Sequence, residues 1–420
     1  MSKEYQNGPN NRGGKDSDSI PIGGQFRPES VNRRDFIAKC MLFGISLPPM
    51  SDALLTSTAA ATVSRAAWDP YPWKWGKEAI ATNPDAALKW WLDEVTHNAV
   101  SDSDPSVVLT DAEISELKAM RPHVGFSWYS LTVYAVEGWK KFWTQKVSEW
   151  AAPNIVNFDQ EGQPQREKEA TELMISKHLK VAGQMSFDWM LFNTFMSLYH
   201  EHNIATVGII SPPSAYYPAT NSCVTDDVTT FENLVKPICE LLHSKGYRSV
   251  DAVWMVEASP SFWTGARHLG FERGIKKYES ICKINVVQDN IPVATPAAAQ
   301  AAANQALERY PNLHLFIMLA HQYLGCQAAV RAHNRRDVWV VASDVDEGTA
   351  TALQSGGWPT YATVSLPIAP LSFAAANVMG KIFLGKRVPL LVKVEGVVAT
   401  PQNIAEAYSK MWDGEKLPWH

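Results

Sequence analysis

HVGFSWYSLTVYAVEG, His123 to Gly138, passes from strand to loop to helix within one short stretch. His123 to Ser127 mixes β-formers, Trp128 to Thr132 is aromatic and hydroxylic, and from Val133 apolar residues recur at helical spacing through Val136, Trp139 and Phe142. A strand whose carboxyl end carries such side chains is where open α/β sheets place ligands. The same unit then repeats. Strand-like runs stand at 154–158 (NIVNF), 181–185 (VAGQM), 206–210 (TVGII), 250–256 (VDAVWMV), 284–288 (INVVQ), 313–319 (LHLFIML) and 338–343 (VWVVAS), with amphipathic segments between them. Short apolar strands alternating with helices predict parallel sheets covered on both faces. SPPSAYYPATNSCV, 211–224, is too Pro-rich and polar for another helix and reads as a crossing between two lobes. Two α/β lobes with a cleft between them follow.

Upstream, residues 1–32 are rich in Asn, Gly, Ser and charge and read as disordered. Val31 to Lys39, VNRRDFIAK, resembles the twin-arginine export signal, and the apolar segment after it ends in small residues, Ala59 to Ala61, that suit a peptidase site. Residues 1–61 thus form a leader with a signal, the mature chain starts near Thr62, and the predicted compartment is the periplasm. Cys223, Cys239, Cys282 and Cys326 lie beyond that cut with no C-x-x-C spacing; they read as buried thiols or as late disulfides. Residues 62–121 are a Trp-rich extension expected to pack on the main body or cover its edge. Within it Thr110 suits the N-cap of a short helix carrying Ile114 and Leu117 on one face, and Trp73, Trp75, Trp90 and Trp91 suit packing or stacking on carbohydrate.

Composition narrows the function. The 420 residues, 46% hydrophobic and 19% charged, are ordinary globular material, and the net charge of -5 gives no basic footprint for nucleic acid. No apolar run approaches the roughly 18 residues that cross a bilayer, so no membrane insertion of the mature chain is expected. The 16 Trp are a heavy usage whose flat apolar faces fit core packing or sugar C–H faces.

Four strings in the second half carry a resemblance. GARHLGF ends at Phe271, VVASD runs from Val340 to Asp344, YATVSLP from Tyr361 to Pro367, and VVATPQNI closes at Ile404. In this order and spacing they resemble the type I periplasmic sugar-binding proteins of ABC transporters, the ribose- and galactose-binding group, over roughly residues 123–410. The resemblance implies two Rossmann-like lobes with parallel sheets joined by a multi-strand hinge: residues 122–222 plus about 366–393 in lobe 1, and 223–365 plus about 394–412 in lobe 2. It also places Arg267 at the arginine that reaches a sugar hydroxyl, where a planar fork of donors suits paired oxygens. Asp344 stands at the carboxylate that accepts from adjacent hydroxyls. The remaining candidate ligand-binding residues are Trp128, Tyr129, Trp263, His321, Gln322, Asp188, Ser211, Asn290 and Ser365. Asp188 also suits a helix cap. Ala320, Ile210–Ser211 and Ser365 depart from the family's polar pattern, so the ligand implied is a sugar, polyol or cyclitol with no single sugar favoured.

Other chemistry finds no motif. GKIFLGK, Gly380 to Lys386, has phosphate-loop spacing, but Arg387 replaces the hydroxyl residue and the string follows a helix. Gly385 is better read as a helix C-cap. No cofactor, metal or catalytic residue is assigned. The expectation is a non-enzymatic, monomeric solute-binding protein that hands its ligand to an ABC permease. The alternatives are a sensor feeding a receptor kinase or chemoreceptor and, third, an exported enzyme.

Overall fold

The computed structural model describes residues 97–186, 189–210, 220–257, 262–293, 295–318, 323–356 and 359–417. The twin-arginine-like leader and the tryptophans of 62–96 lie outside them. In chain order the elements are β1 (Val100–Ser101), α1 (Asp111–Met120), β2 (Val124–Trp128), α2 (Tyr134–Ala151), β3 (Ile155–Asp159), α3 (Pro164–Ser176), β4 (Val181–Gln184), α4 (Trp189–Glu201), β5 (Ala205–Ile209) and β6 (Thr220–Thr225). They continue with α5 (Asp227–Ser244), β7 (Ser249–Glu257), α6 (Phe262–Lys277), β8 (Lys283–Val293), α7 (Pro296–Arg309), β9 (Leu313–Met318), α8 (Tyr323–Ala332), β10 (Trp339–Val341) and α9 (Glu347–Gln354). The chain closes with β11 (Thr363–Ser365), α10 (Ile368–Phe383), β12 (Leu391–Val394), β13 (Val397–Ala399) and α11 (Ile404–Met411).

The strands form two parallel sheets and one antiparallel pair. The first sheet runs β1-β12-β6-β5-β4-β2-β3 and the second β10-β9-β7-β8, while β11 pairs antiparallel with β13. In each sheet the first strand of the alternating series sends the chain out in both directions: β2 lies between β3 and β4, and β7 between β8 and β9. Such reversals leave a crevice beyond the carboxyl ends of the strands, because neighbouring connections leave on opposite faces. The fold thus gives each lobe one natural ligand wall.

Each predicted strand run overlaps a strand, β2 to β5 and β7 to β10. The reading of 211–224 as a crossing is corrected at its end. Thr220–Thr225 is a strand inside the first sheet, hydrogen-bonded to β5 on one side and β12 on the other. The ladder on both edges satisfies its backbone while Ser222 and Cys223 are buried, so its polar composition hid an interior position. The first lobe accordingly extends through Thr225, and β12 returns to it through Val394.

The described part of the Trp-rich extension completes this lobe. β1 adds an edge strand to β12, and α1 packs on α2 and α10. Thr110 caps α1 in a reciprocal box with Glu113. The same Glu113 carboxylate meets Lys381 Nζ at 2.9 Å, and Lys381 is buried on α10. α10 is apolar nearly all round because it is enclosed by α1, α2 and the strands β4, β5, β6 and β12. The string that mimicked a phosphate loop is therefore a packing device: Lys381 anchors the extension, and Gly385 follows the helix with φ 66°, the left-handed value of a C-terminal cap.

Burial pushes the Glu113 carboxyl up, but the Thr110 N–H and the Lys381 ammonium outweigh it and hold it below the usual carboxylate range. Because the folded value is depressed, this stabilisation is present at neutral pH and is lost as pH falls through that value. Glu113→Ala leaves Lys381 buried beside only the Pro105 carbonyl and should cost about 3 kcal/mol, the lower end for breaking a buried pair. Denaturant unfolding at pH 7 and pH 3 checks both statements, the gap between wild type and variant narrowing at the lower pH.

Candidate functional site

Arg267 stands on α6 with its guanidinium 3% exposed. Its Nε donates to Asp227 Oδ2 at 3.2 Å, its Nη1 lies 3.6 Å from Asp344 Oδ1, and its guanidinium sits 5.3 Å from the Phe231 ring centre. Asp227, 2% exposed, opens α5, while Asp226 beside it is the cap that accepts the Thr229 N–H. Asp344 follows β10, and its backbone oxygen accepts from Thr363 Oγ1 of β11 at 2.9 Å. One cation thus ties together two helices of the second lobe, the end of a strand and the antiparallel pair between the lobes.

The Arg-x-x-Gly spacing has a physical reason. Arg267 and Gly270 share a face of α6, and a Cβ on Gly270 would lie 2.4 Å from the Val228 carbonyl oxygen. Without that Cβ the two helices close up, and the guanidinium reaches the first turn of α5. Charge within the cluster does not balance: two carboxylates face one guanidinium. Burial pushes the Asp227 carboxyl up and the Asp344 charge adds to the rise, with Arg267 and Thr225 pulling it back. Asp344 keeps 30% of its side chain exposed and is the member that can accept from a ligand. Hydroxyl donors suit such a site better than further acceptors.

Of the other predicted positions, Trp128 is corrected. It is fully buried, stacked on Phe126 at 3.9 Å, edge-on to Trp143, and its indole N–H donates to Asn157 Oδ1 at 2.7 Å. β2 is an inner strand of a parallel sheet covered on both faces, so its carboxyl-terminal ring turns into the core. Gly183 on β4 makes room for that stack, since a Cβ there would lie 1.9 Å from Phe126 Cδ2. Tyr129 is half-buried just beyond β2, its carbonyl accepting the Gly162 N–H at 2.7 Å. Ser365 is buried on β11, with no hydrogen-bond partner for its hydroxyl among the described residues. Asp188, Ser211, His321 and Gln322 lie outside the described residues, as do the side chains of Trp263 on α6 and Asn290 on β8.

Two buried polar residues at strand ends were given no ligand role from sequence. Asp227 was hidden behind its neighbour, because an Asp pair before a helix reads as a cap. Gln160, after β3, donates from Nε2 to Ser127 Oγ at 2.8 Å and to the Met185 carbonyl at 2.9 Å, joining the ends of β2 and β4 at the reversal of strand order. Among the described residues no group of three or more His, Cys, Asp or Glu side chains comes together to hold a metal. Cys223, Cys239, Cys282 and Cys326 are free and buried.

No protein-family model matches the chain, and no curated protein matches it either. Solved structures do. A glucose-galactose binding protein, GanP, from Geobacillus stearothermophilus matches at 16% identity with a TM-score of 0.58, covering 67% of this chain and 98% of its own. An ABC transporter solute binding protein from Agrobacterium vitis with bound allitol matches at 15% identity and a TM-score of 0.59, covering 69% of this chain and 98% of its own. One from Bacillus halodurans with bound myo-inositol matches at 13% identity and 0.59, over the same shares, 69% and 98%. The chain has the type I periplasmic binding protein fold.

Arg267, Asp227 and Asp344 stand together among the elements of the second sheet's half of the chain. Two substitutions separate core from site. Trp128→Ala should cost about 3–5 kcal/mol of stability, as for truncation of a buried aromatic. Arg267→Ala strands Asp227 without its cation and should also cost about 3–5 kcal/mol. Arg267→Ala with Asp227→Asn should recover part of that loss. Thermal unfolding of the three variants measures this, and a double variant no more stable than Arg267→Ala alone would show that the pair is not coupled.

Proposed function

We propose that this chain is an extracytoplasmic solute-binding protein that captures a sugar or sugar-like polyol between its lobes and delivers it to an ABC permease. The observation that carries the reading is the Arg267–Asp227–Asp344 cluster, in which a second carboxylate faces one shared guanidinium. Asp227 fixes Arg267, and the part-exposed Asp344 carboxylate accepts from vicinal hydroxyls, with Arg267 Nη1 beside it as a donor to ring or hydroxyl oxygens. Tyr129 at the carboxyl end of β2 supplies a ring from the opposite lobe. The solved structures of like fold hold allitol and myo-inositol, both polyhydroxylated and uncharged, which fits donors directed at carboxylates.

Capture then needs no bond-making step. Closure around the ligand is a shift in an open–closed population, driven by contacts that only the closed form makes with both lobes. The chain crosses between sheets after β6, after β11 and after β12, three short connections that restrict the motion to a hinge. The closed surface is what a permease reads. The twin-arginine-like stretch at 31–39 supports export to the periplasm, where such a receptor meets its ligand.

Thermal unfolding of the full chain against sugars, polyols and cyclitols tests the reading. A ligand at a hundredfold over its Kd stabilises by about 2.7 kcal/mol and should raise the midpoint by several degrees. Asp344→Ala should weaken that ligand by about 2–5 kcal/mol, while the Arg267–Asp227 pair keeps the second lobe folded. A panel that leaves the midpoint unmoved for every polyhydroxylated compound would remove the carbohydrate assignment.

A further inference from the structure

A groove of about 670 Å³ opens between the start of α2 in the first lobe and α8 and α9 in the second, a size in the range of about 300–1,000 Å³ that small-ligand sites occupy. Asp346, which caps α9 and lines this groove, stands two residues beyond Asp344 on one loop. The groove and the Arg267 cluster therefore share one loop. Its walls combine apolar surface from Tyr134, Leu324 and Ala352 with polar side chains that are partly preformed. Gln327 on α8 donates to Thr360, and Asp346 accepts from the Tyr323 hydroxyl and from the Thr349 N–H, so neither is free to collapse into the space. Arg331, Glu347 and Thr351 line it from exposed positions, and the mixture of one guanidinium with two carboxylates matches neither an anion nor a polycation. A neutral ligand with many hydroxyls meets both donors and acceptors here.

Tyr134 closes the groove from the first lobe with a ring held in place. It stacks on Trp412 at 4.8 Å, Trp412 stacks in turn on Tyr408 at 5.0 Å, and the two tyrosine hydroxyls meet at 2.5 Å. Burial and the Tyr408 hydroxyl push the Tyr134 phenol upward, so it stays neutral at any working pH. An aromatic ring already immobilised loses little freedom when a sugar's C–H face settles on it.

We infer that the cleft has an outer compartment at Tyr134, α8 and α9 that takes a second sugar unit, so that the ligand class is a disaccharide or short glycoside. The inference rests on the carbohydrate reading above and specifies it. A glycosidic extension running along the loop from Asp344 to Asp346 would carry a second unit into the space lined by Tyr134, α8 and α9.

The test is isothermal titration of the full chain with matched pairs: glucose against maltose and cellobiose, galactose against lactose and melibiose, and myo-inositol against galactinol. The expected result is at least one pair in which the two-unit member binds tenfold or more tightly than its single unit. That preference should fall at least tenfold in Glu347→Ala and in Thr351→Trp, which fills the groove from an exposed position of α9. Tyr134→Ala should reduce it too, with circular dichroism confirming that the ring cluster has not unfolded the chain. Single units binding as tightly as their extended partners, or a preference that all three variants preserve, would overturn the outer compartment while leaving the carbohydrate reading intact. No binding of either member of any pair would overturn the carbohydrate reading, and this inference with it.

Discussion

Removing a guanidinium from water is costly unless its charge is met where it lands, and the second lobe is arranged around meeting it at Arg267. Asp227 can reach Arg267 only because α5 begins where the chain enters the second lobe, and Arg267 can reach Asp227 only because Gly270 lets α6 lie against the α5 backbone. Phe231, one turn further along α5, covers the guanidinium with its ring. The position of Asp344 is in turn set by Thr363, whose hydroxyl holds its carbonyl from the antiparallel pair. Sequence positions far apart are thus fixed by one charge.

The first lobe solves a different problem. Its sheet is parallel, so every connection must cross a face, and both faces have to be covered with apolar surface. α10 arrives late in the sequence to cover strands formed early, and β12 follows it into the middle of the sheet beside β6. This return makes the two lobes interdependent: one buried cluster runs from Trp143 in the first lobe through Phe231 to Trp254 in the second.

Much of this was legible because apolar runs of strand length alternate with helical periodicity from residue 123 onward, and the pattern is apolar enough to mark inner strands such as β2, β4, β5, β7 and β9 and the edge strands β3, β8 and β10 alike. β6, β12 and β13 were not legible on the same grounds. β6 is polar yet interior by virtue of its neighbours, and β12 and β13 are too short for a period to declare itself. The candidate site divides likewise. Arg267 could be found because GARHLGF resembles a family string, and the structure gives that string's spacing a packing reason at Gly270, whereas Asp227 had the same local signal as an ordinary cap. Trp128 shows the opposite failure: an aromatic at the carboxyl end of a strand suggests a ligand platform, but nothing in a single strand's sequence says whether both sheet faces are covered.

The tryptophan content takes its meaning from the same distinction. Trp139, Trp143, Trp150 and Trp254 are buried with indole N–H groups that meet no acceptor among the described residues. Each such donor costs of order 1–3 kcal/mol, which only the volume and apolar area of the ring can offset. At these four positions, therefore, tryptophan serves as bulk in the core. Trp412 differs in kind, because what it packs against is the ring of Tyr134 at the mouth of the cleft. It lies just beyond α11, which touches α9 in the second lobe as well as α10 in the first. Among the described tryptophans Trp412 thus holds a tyrosine ring rigid where α2, α9 and α11 come together.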